Sequence, residues 1–221
     1  MSHFAGCQQL EACLVGFADI SRLDLPITKK YPFAICFALR HDDEVVNRLP
    51  NDELWDEMSL SLTEKARIIY TEIQIQLESW GYDHCRTPST TRIDELPEPG
   101  EELPQKTIAT LSGLGWIGKS SLLITPEYGP RVRFGTLLTN MPLVTNMPVT
   151  QSKCGDCRAC LDVCPVNAIQ GNSWHQTTPR SELLDVPICY NHLWSKKDII
   201  GRRQLCGLCL KVCPVGQTRY V

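Results

Sequence analysis

Long apolar runs are absent from this sequence. No stretch reaches the ~20 consecutive apolar residues that a helix needs to cross a bilayer. The first residues also lack the basic and then apolar pattern of a secretory signal peptide, and there is no twin-arginine export signal. Aromatic residues make up only 7% of the chain and are not interleaved with its basic residues, so the pattern does not specify RNA. These absences predict a cytoplasmic protein with no membrane partner.

The small net charge of −3 hides an asymmetry along the chain. Residues 1–112 contain 10 Lys and Arg against 19 Asp and Glu, whereas residues 113–221 contain 12 against 6. We interpret the excess of Lys and Arg in residues 113–221 as an offset to negatively charged groups bound in that part of the chain. The alternative is a docking surface for an acidic redox partner or nucleic acid.

Twelve cysteines are present, and eight of them form two runs in the last third of the chain. The first run is Cys154, Cys157, Cys160 and Cys164, followed by Pro165. The second run is Cys189, Cys206, Cys209 and Cys213, followed by Pro214. The spacing C-x2-C-x2-C-x3-C-P is typical of bacterial ferredoxins, in which the fourth cysteine binds the other cluster of a pair. Because two [4Fe–4S] clusters need eight thiolates, the runs predict two clusters.

The spacing also predicts which cysteine binds which cluster. Three cysteines two residues apart wrap one cluster on a tight loop, and the next lies beyond reach on the short helix that follows. The first cluster is therefore assigned to Cys154, Cys157, Cys160 and Cys213. The second cluster is assigned to Cys164, Cys189, Cys206 and Cys209.

Structural zinc and disulfides are the alternatives for these cysteines, and both are disfavoured. Zinc sites pair C-x2-4-C knuckles and do not use a triplet with a trailing Cys-Pro, and disulfides require an oxidising compartment. The other four cysteines have no ligand spacing, and we expect them to be small buried side chains. They are Cys7, Cys13, Cys36 and Cys85.

Apolar patterns predict the secondary structure of the first 140 residues. The predicted strands are 14–17, 33–39, 82–88, 122–125 and 132–139. A long helix is predicted to begin at a capping box, Ser61 to Glu64, and to end at Gly81. A shorter helix is predicted over 104–112. The predicted fold class is therefore α+β.

Two domains are predicted within this class. Residues 1–140 form an α/β layered domain that is expected to hold a cofactor or substrate. Residues 141–221 form a small bacterial ferredoxin-like domain with two [4Fe–4S] clusters, and they begin with a proline-containing linker.

Residues 113–120, with the sequence GLGWIGKS, match two nucleotide-binding patterns at once. They fit the G-x-G-x-x-G of dinucleotide-binding folds and the G-x-x-x-x-G-K-S of the P-loop. The context that either pattern needs, an acidic residue at a suitable position after the segment, is not found. Nucleotide binding at Lys119 is kept as a minor alternative, beside a glycine turn that packs closely or approaches a flat cofactor.

The ordered set of motifs resembles the epoxyqueuosine reductases, a family related to the reductive dehalogenases. The motifs are the segment 113–119, then residues 121–124, then Phe134 and Gly135 before a strand, and then both cysteine runs. Together they span residues 107–216. The strand at 33–39 and Gly16 to Asp19 are also similar, more weakly, to the N-terminal region of that family.

The resemblance implies a corrinoid (cobalamin) over the α/β layer, supplied with electrons by the two clusters. It implies that the glycine segment helps to shape the corrinoid pocket. The candidate contacts are Gly113, Gly115, Trp116, Gly118 and Lys119. The expected partners are an external low-potential donor of the ferredoxin or flavodoxin type and a small-molecule or protein acceptor.

Two departures from the family bear on the expected activity. Its members carry a catalytic Asp shortly before the glycine segment, but the corresponding position here is Pro99 in an acidic loop, so no catalytic residue is assigned. The chain also ends at Val221, so we expect it to lack the helical C-terminal extension that relatives use for tRNA. On that ground tRNA is expected to be a doubtful partner.

Two functions from different classes follow from the sequence. The first is an iron–sulfur, cobalamin-dependent reductase, suited to an anaerobic cell, that is similar to the epoxyqueuosine reductases. The alternative is a non-catalytic, ferredoxin-type electron carrier that docks on a partner enzyme or corrinoid protein. The 140 residues before the cluster domain weigh against a pure carrier.

Overall fold

The computed structural model describes residues 13–50, 54–87, 105–195 and 206–217. Helices and strands both occur, which confirms the predicted α+β class. The chain divides into two compact units, and each is assembled from three separate stretches. Unit 1 comprises Met1–Leu39, Leu62–Leu114 and Arg133–Val149. Unit 2 comprises Arg40–Ser61, Gly115–Val132 and Thr150–Val221.

Unit 1 contains a four-stranded sheet. Its strands are β1 (Cys13–Asp19), β2 (Phe33–Arg40), β3 (His84–Arg86) and β6 (Val132–Thr139). Their order in the sheet is β1-β2-β6-β3, and both β1–β2 and β3–β6 are antiparallel pairs. Each strand overlaps one predicted from the sequence. Six of the eight residues of β2 are buried, which is why this strand is a continuous apolar run.

Three α-helices accompany the sheet, and residues 54–61 of the longest belong to unit 2. They are α1 (Pro26–Lys30), α3 (Leu54–Ser79) and α4 (Gln105–Leu111). The buried face of α3 includes Leu62, Ile69 and Leu77, as the helical period of the apolar residues predicts. The predicted helix end is confirmed, because Gly81 follows with φ +80 and its N–H donates to the carbonyl of Glu78.

The predicted start of the long helix at Ser61 is wrong. The helix α3 already includes Leu54, so Ser61 lies inside it and cannot act as its N-cap. The residues before Ser61 continue the apolar pattern of the helix: Trp55 packs on a small cluster formed by Val46, Leu49 and Leu210. This tertiary contact stabilises two further turns that local capping chemistry does not signal.

The side chain of Tyr70 packs closely against the backbone of β6 in the core of unit 1. A Cβ on Gly135 would collide with the Tyr70 hydroxyl, and it would stand 2.7 Å from the ring of Phe37. The Tyr70 hydroxyl accepts a hydrogen bond of 2.9 Å from the buried backbone N–H of Thr136. The ring of Tyr70 packs edge-on against Phe37, with 5.0 Å between centroids. Gly135 therefore gives the long helix room to approach the sheet.

The cysteines outside the two runs differ in their environments. Cys36 is completely buried in β2, as expected, and burial raises its pKa to about 11. Cys85 is half-buried. The expectation of a small buried side chain is wrong for Cys85 and also for Cys13, which is half-buried as well. Cys7 lies outside the described residues.

Unit 2 is built from short elements. Its helices are α2 (Asp43–Arg48), α5 (Ala159–Asp162), α6 (Arg180–Leu183), α7 (Val186–Trp194) and α8 (Leu208–Lys211). Its strands β4 (Trp116–Ile117) and β5 (Leu123–Ile124) form a two-stranded antiparallel sheet. Helix α8 packs on α5 and on α2.

The described part of the chain includes no helix that is both long and apolar enough to span a bilayer. The predicted domain boundary after residue 140 stays a prediction. In the structure, unit 2 combines the segment that carries the cysteine runs with residues 40–61 and 115–132.

Candidate iron–sulfur site

The two cysteine runs form two similar loop–helix segments in unit 2. Each segment has a glycine directly after its first closely spaced cysteine, and both glycines have left-handed backbone: Gly155 has φ +52 and Gly207 has φ +61. A short helix follows in each segment, α5 in the first and α8 in the second. Because L-residues rarely adopt this conformation, glycine allows the tight turn that brings neighbouring thiols together.

The thiols of the first run lie close to the last cysteine of the second run. Burial raises the pKa of Cys160 to about 11, and the charges of Cys154 and Cys157 and then of Cys213 act in the same direction. Burial also raises the pKa of Cys213, and Cys154 and Cys157 are again among the neighbours that raise it. The four thiols are therefore within electrostatic reach of one another, although Cys213 is 53 or more positions away along the chain.

The remaining thiols form the second group. The pKa of Cys209 is raised to about 12, mainly by burial. The charges of four neighbouring cysteines raise it further: Cys206 and Cys189 first, and then Cys160 and Cys164. Three of these four neighbours belong to the set that the sequence assigns to the second cluster. The fourth, Cys160, shows that the two groups of thiols adjoin.

The thiols are not arranged around a single metal ion. Among the residues that the structure describes, no group of three or more His, Cys, Asp or Glu side chains could hold one ion. A mononuclear zinc site needs such convergence. A [4Fe–4S] cluster does not, because each thiolate binds a separate iron at a corner of the cube.

Backbone N–H groups and partial burial complete the environment of the thiols. The N–H of Ala168 donates to Cys164 Sγ over 3.3 Å. Of the eight cysteines, Cys157 is exposed and the other seven are half-buried. Hydrogen bonds to sulfur and limited solvent exposure are two of the factors that set the reduction potential of an iron–sulfur cluster.

Lys119 of the glycine segment holds the first cysteine loop. The side chain is 8% exposed, and its Nζ donates to the carbonyl of Gly155 at 2.8 Å and to that of Cys157 at 3.1 Å. The preceding residue, Gly118, also lies near this loop, because a Cβ there would stand 3.6 Å from Cys154 Sγ. The lysine that resembles a phosphate ligand in the sequence is therefore a structural anchor of the loop.

The P-loop alternative for this segment is wrong. A P-loop passes from a strand directly into a helix whose first N–H groups face the phosphates. Here residues 116–117 form β4, residues 118–122 form a turn closed by a hydrogen bond from Gly118 N to Leu122 O, and β5 follows. The turn leads into a strand, so no helix N-terminus is present to bind a phosphate. The lysine already donates its hydrogen bonds to two protein carbonyls.

The five candidate corrinoid contacts fall in both units. Gly113 belongs to unit 1, and the other four belong to unit 2. Their glycines pack against protein: a Cβ on Gly113 would stand 3.0 Å from the carbonyl oxygen of Met147, and one on Gly115 2.8 Å from the carbonyl carbon of Ile124. No glycine of the segment opens onto free space. Contact between these residues and a corrinoid stays a prediction.

Trp116 is the member of this set with an unsatisfied polar atom. It is 4% exposed, and its indole Nε1 is buried without a hydrogen-bond partner among the described residues. The Nζ of Lys153 lies 5.7 Å from the centroid of its ring, which is within the range of a cation–π contact. A buried indole N–H normally finds an acceptor, so this atom is available to a bound group or a water molecule.

Sequence reasoning missed Arg131, the largest fully buried side chain of the described residues. Its Nη2 donates to the carbonyl of Lys211 at 2.8 Å, and its Nη1 to the carbonyls of Cys213 at 3.3 Å and Val215 at 3.4 Å. The carbonyl of Lys211 lies at the C-terminal end of α8, where a cation is favourable, and the other two follow the helix. The sequence gives no signal for this role, because a single Arg next to an apolar strand is equally typical of a protein surface.

Comparison with known proteins agrees with this geometry. Residues 153–216 match the model of a 4Fe-4S double cluster binding domain. This match confirms the predicted ferredoxin-like module and its [4Fe–4S] chemistry. It leaves the assignment of each cysteine to a cluster as a prediction.

Similarity extends beyond the cluster domain. The epoxyqueuosine reductase of Bacillus anthracis is 35% identical over 160 residues, which cover 62% of this chain and 39% of the relative. Over this stretch the chain is similar to the epoxyqueuosine reductases. It matches well under half the length of that relative, and the resemblance stated from the motifs is confirmed.

Two solved structures share the fold at low sequence identity. A reductive dehalogenase, described with a mechanism for B12-dependent dehalogenation, has a TM-score of 0.70 and 18% identity, covering 94% of this chain and 30% of the other. An epoxyqueuosine reductase with an epoxyqueuosine-modified tRNA stem loop has a TM-score of 0.60 and 19% identity, covering 95% and 63%. The fold is therefore common to both classes of protein.

Proposed function

We propose that this chain acts as an iron–sulfur reductase of the epoxyqueuosine reductase type, in which two [4Fe–4S] clusters carry electrons to an acceptor. The proposed ligands of the first cluster are Cys154, Cys157, Cys160 and Cys213. The proposed ligands of the second are Cys164, Cys189, Cys206 and Cys209. The observation that carries the proposal is the packing of α8 on α5, which brings the two cysteine segments together. Beyond the effect of burial, the charges of Cys154 and Cys157 raise the pKa of Cys213, in agreement with the exchanged fourth ligand of paired clusters.

The residues present fit [4Fe–4S] clusters in donor chemistry and in their support. Such clusters, when bound, supply one-electron transfer at low potential. The protein contributes eight thiols in two adjoining groups, a backbone N–H directed at Cys164 Sγ, and partial burial. Burial raises the pKa of these thiols and a cluster binds their thiolates, so cluster binding releases protons and is favoured at higher pH.

The extent of the similarity favours a reductase over a simple electron carrier. The 160 aligned residues reach well beyond the cluster domain at 153–216. A carrier would need only the cluster domain, so the shared remainder supports a site for a cofactor or substrate. The part of the chain before the cluster domain is where we expect this site.

The corrinoid is the finer part of the proposal. The B12-dependent chemistry of a reductive dehalogenase with the same fold supports it. The glycine segment adds no support, because each of its glycines packs against protein. The buried Nε1 of Trp116 is the one atom of this segment that a bound group could satisfy. We therefore assign no chemical step to individual residues at a corrinoid.

The substrate and the electron donor also belong to the proposal. A low-potential donor of the ferredoxin or flavodoxin type would reduce the clusters. An epoxyqueuosine reductase of the same fold has been solved with a modified tRNA stem loop, so epoxyqueuosine in tRNA is a substrate to test. Binding of this chain to a modified tRNA stem loop tests that substrate against the expectation that tRNA is a doubtful partner.

Anaerobic purification with cofactor analysis tests the proposal. We expect about eight irons and about eight acid-labile sulfides per chain. Saturable binding of hydroxocobalamin with a base-off spectrum would support the corrinoid. Two clusters without any cobalamin binding would favour the electron carrier, and zinc in place of iron would overturn the whole proposal.

A further inference from the structure

Two cationic side chains are buried next to the site formed by the first run and Cys213. Lys119 is 8% exposed and Arg131 is 1% exposed. Charged side chains are rarely buried to this degree unless they are paired or have a specific task. Their contacts indicate what the task is.

The two cations bind the two separate stretches of chain that meet at this site. Lys119 donates to the carbonyls of Gly155 and Cys157 in the first loop. Arg131 donates to the carbonyls of Lys211, Cys213 and Val215 in the second segment. Each cation therefore fixes the backbone that carries one part of the exchanged ligand set.

The positive charge on this side of the site is only partly balanced. The Nε of Arg131 lies 3.4 Å from Asp43 Oδ1, but the same carboxylate also pairs with Arg40. Among the described residues, no carboxylate pairs with Lys119. The charge of Arg131 reaches the thiol of Cys213, since it opposes the effect of burial on the pKa of that thiol.

Buried positive charge has a direct effect on a nearby redox group. A [4Fe–4S] cluster with four thiolates is negative, and it becomes more negative by one unit when it accepts an electron. A fixed cation close by stabilises the reduced form more than the oxidised form, which raises the reduction potential. The effect is large when the cation is buried, because water does not screen it.

We propose that Lys119 and Arg131 are positioning residues that raise the reduction potential of the cluster held by Cys154, Cys157, Cys160 and Cys213. This inference rests on the proposed function, because it requires that cluster to be present. In the step concerned, the cluster accepts one electron from a low-potential one-electron donor, and no covalent bond is formed or broken. The two cations make that transfer more favourable.

The experiment is a potentiometric titration of the anaerobically prepared holoprotein, followed by electron paramagnetic resonance. The test variants are Lys119→Gln and Arg131→Gln, which remove one charge each. The conservative variants Lys119→Arg and Arg131→Lys keep the charge. The signal of the first cluster is identified as the one lost in Cys157→Ser.

Arg158 provides a matched control within the same loop. It lies between Cys157 and Cys160, but its side chain is 68% exposed and pairs only loosely with Asp162 at 3.6 Å. Arg158→Gln removes the same charge at a site where water screens it. We expect this variant to leave both potentials unchanged.

We expect each neutral variant to make reduction of the first cluster at least tenfold less favourable, which is about 59 mV for one electron. The conservative variants should recover most of the loss. If Arg131→Gln does not retain iron, the potential of the first cluster is measured in Lys119→Gln and in Arg131→Lys instead. In Arg131→Lys this potential should stay close to that of the original protein.

The inference would be overturned by a neutral variant with full iron content and an unchanged potential. An equal shift in Arg158→Gln would also overturn it, because the effect would then not depend on burial. Neither result would affect the proposed function, since both require the two clusters to be present. An original protein without clusters would instead refute the proposed function itself.

Discussion

Replacement of Gly129 by alanine tests how closely the turn before β6 packs on the second cysteine segment. Gly129 has φ +57, and its N–H and carbonyl both pair with the backbone of Thr125. A Cβ at this position would collide with the carbonyl oxygen of Val215 and stand 2.7 Å from its carbonyl carbon. Both atoms are backbone, so no flexible side chain can move away.

The expected cost has two parts. The left-handed conformation costs alanine about 1–2 kcal/mol. Overpacking adds about 1–3 kcal/mol, because backbone must shift. We therefore expect Gly129→Ala to lower the free energy of unfolding by about 2–5 kcal/mol. Because Val215 lies two residues after Cys213, we also expect the variant to lose iron from the first cluster more readily.

Gly81→Ala is the matched control. Gly81 has φ +80, but nothing lies within 4 Å of the Cβ that would be added. This variant isolates the conformational cost of about 1–2 kcal/mol. Unfolding by urea, followed by circular dichroism of the anaerobic holoprotein, gives both values. If Gly129→Ala is no more destabilising than Gly81→Ala and retains its iron equally well, the close packing is refuted.

Three further predictions concern other parts of the chain. Tyr70→Phe should cost about 1–3 kcal/mol of unfolding free energy in urea titrations, because it leaves a buried backbone N–H without an acceptor, and a change near zero would contradict this. The pKa of Cys36 is about 11 in the folded protein, against an ordinary value of 9.0, so its protonated form stabilises the fold below about pH 9. That contribution is lost as pH rises towards 11. The unfolding free energy of Cys36→Ala should therefore fall less steeply with rising alkaline pH than that of the original protein. Equal slopes of unfolding free energy against pH would count against the prediction. Asp185→Ala removes the N-cap of α7, which carries Cys189, and should cost about 1 kcal/mol and speed chelator-driven loss of the second cluster; loss at the original rate would contradict this.

The parts of the fold that the sequence predicts are those with a strong local pattern. The apolar run of β2, the end of α3 at Gly81 and the spacing of the cysteines each depend on neighbours in the chain. The closeness of Cys213 to the first cysteine run is also predictable, because the cysteine after each short helix lies beyond reach of the cluster on its own loop. Whether these thiols bind their clusters as assigned stays a prediction.

Long-range contacts account for what the sequence did not predict. The start of α3 depends on the packing of Trp55 against the cluster of Val46, Leu49 and Leu210, the last of which lies in the second cysteine segment. The role of Arg131 depends on carbonyls about 80 or more positions later in the chain. The use of Lys119 as a loop anchor shows that a nucleotide-binding pattern has little meaning without the strand, loop and helix around it.

The exchanged fourth ligands are the central claim, and the variant Cys213→Ser tests it most directly. Iron content and Mössbauer or electron paramagnetic resonance spectra of this variant are compared with those of Cys157→Ser, which affects the first cluster, and Cys206→Ser, which affects the second. We predict that Cys213→Ser loses the same centre as Cys157→Ser and keeps the other. A spectrum that matches Cys206→Ser instead would contradict the account.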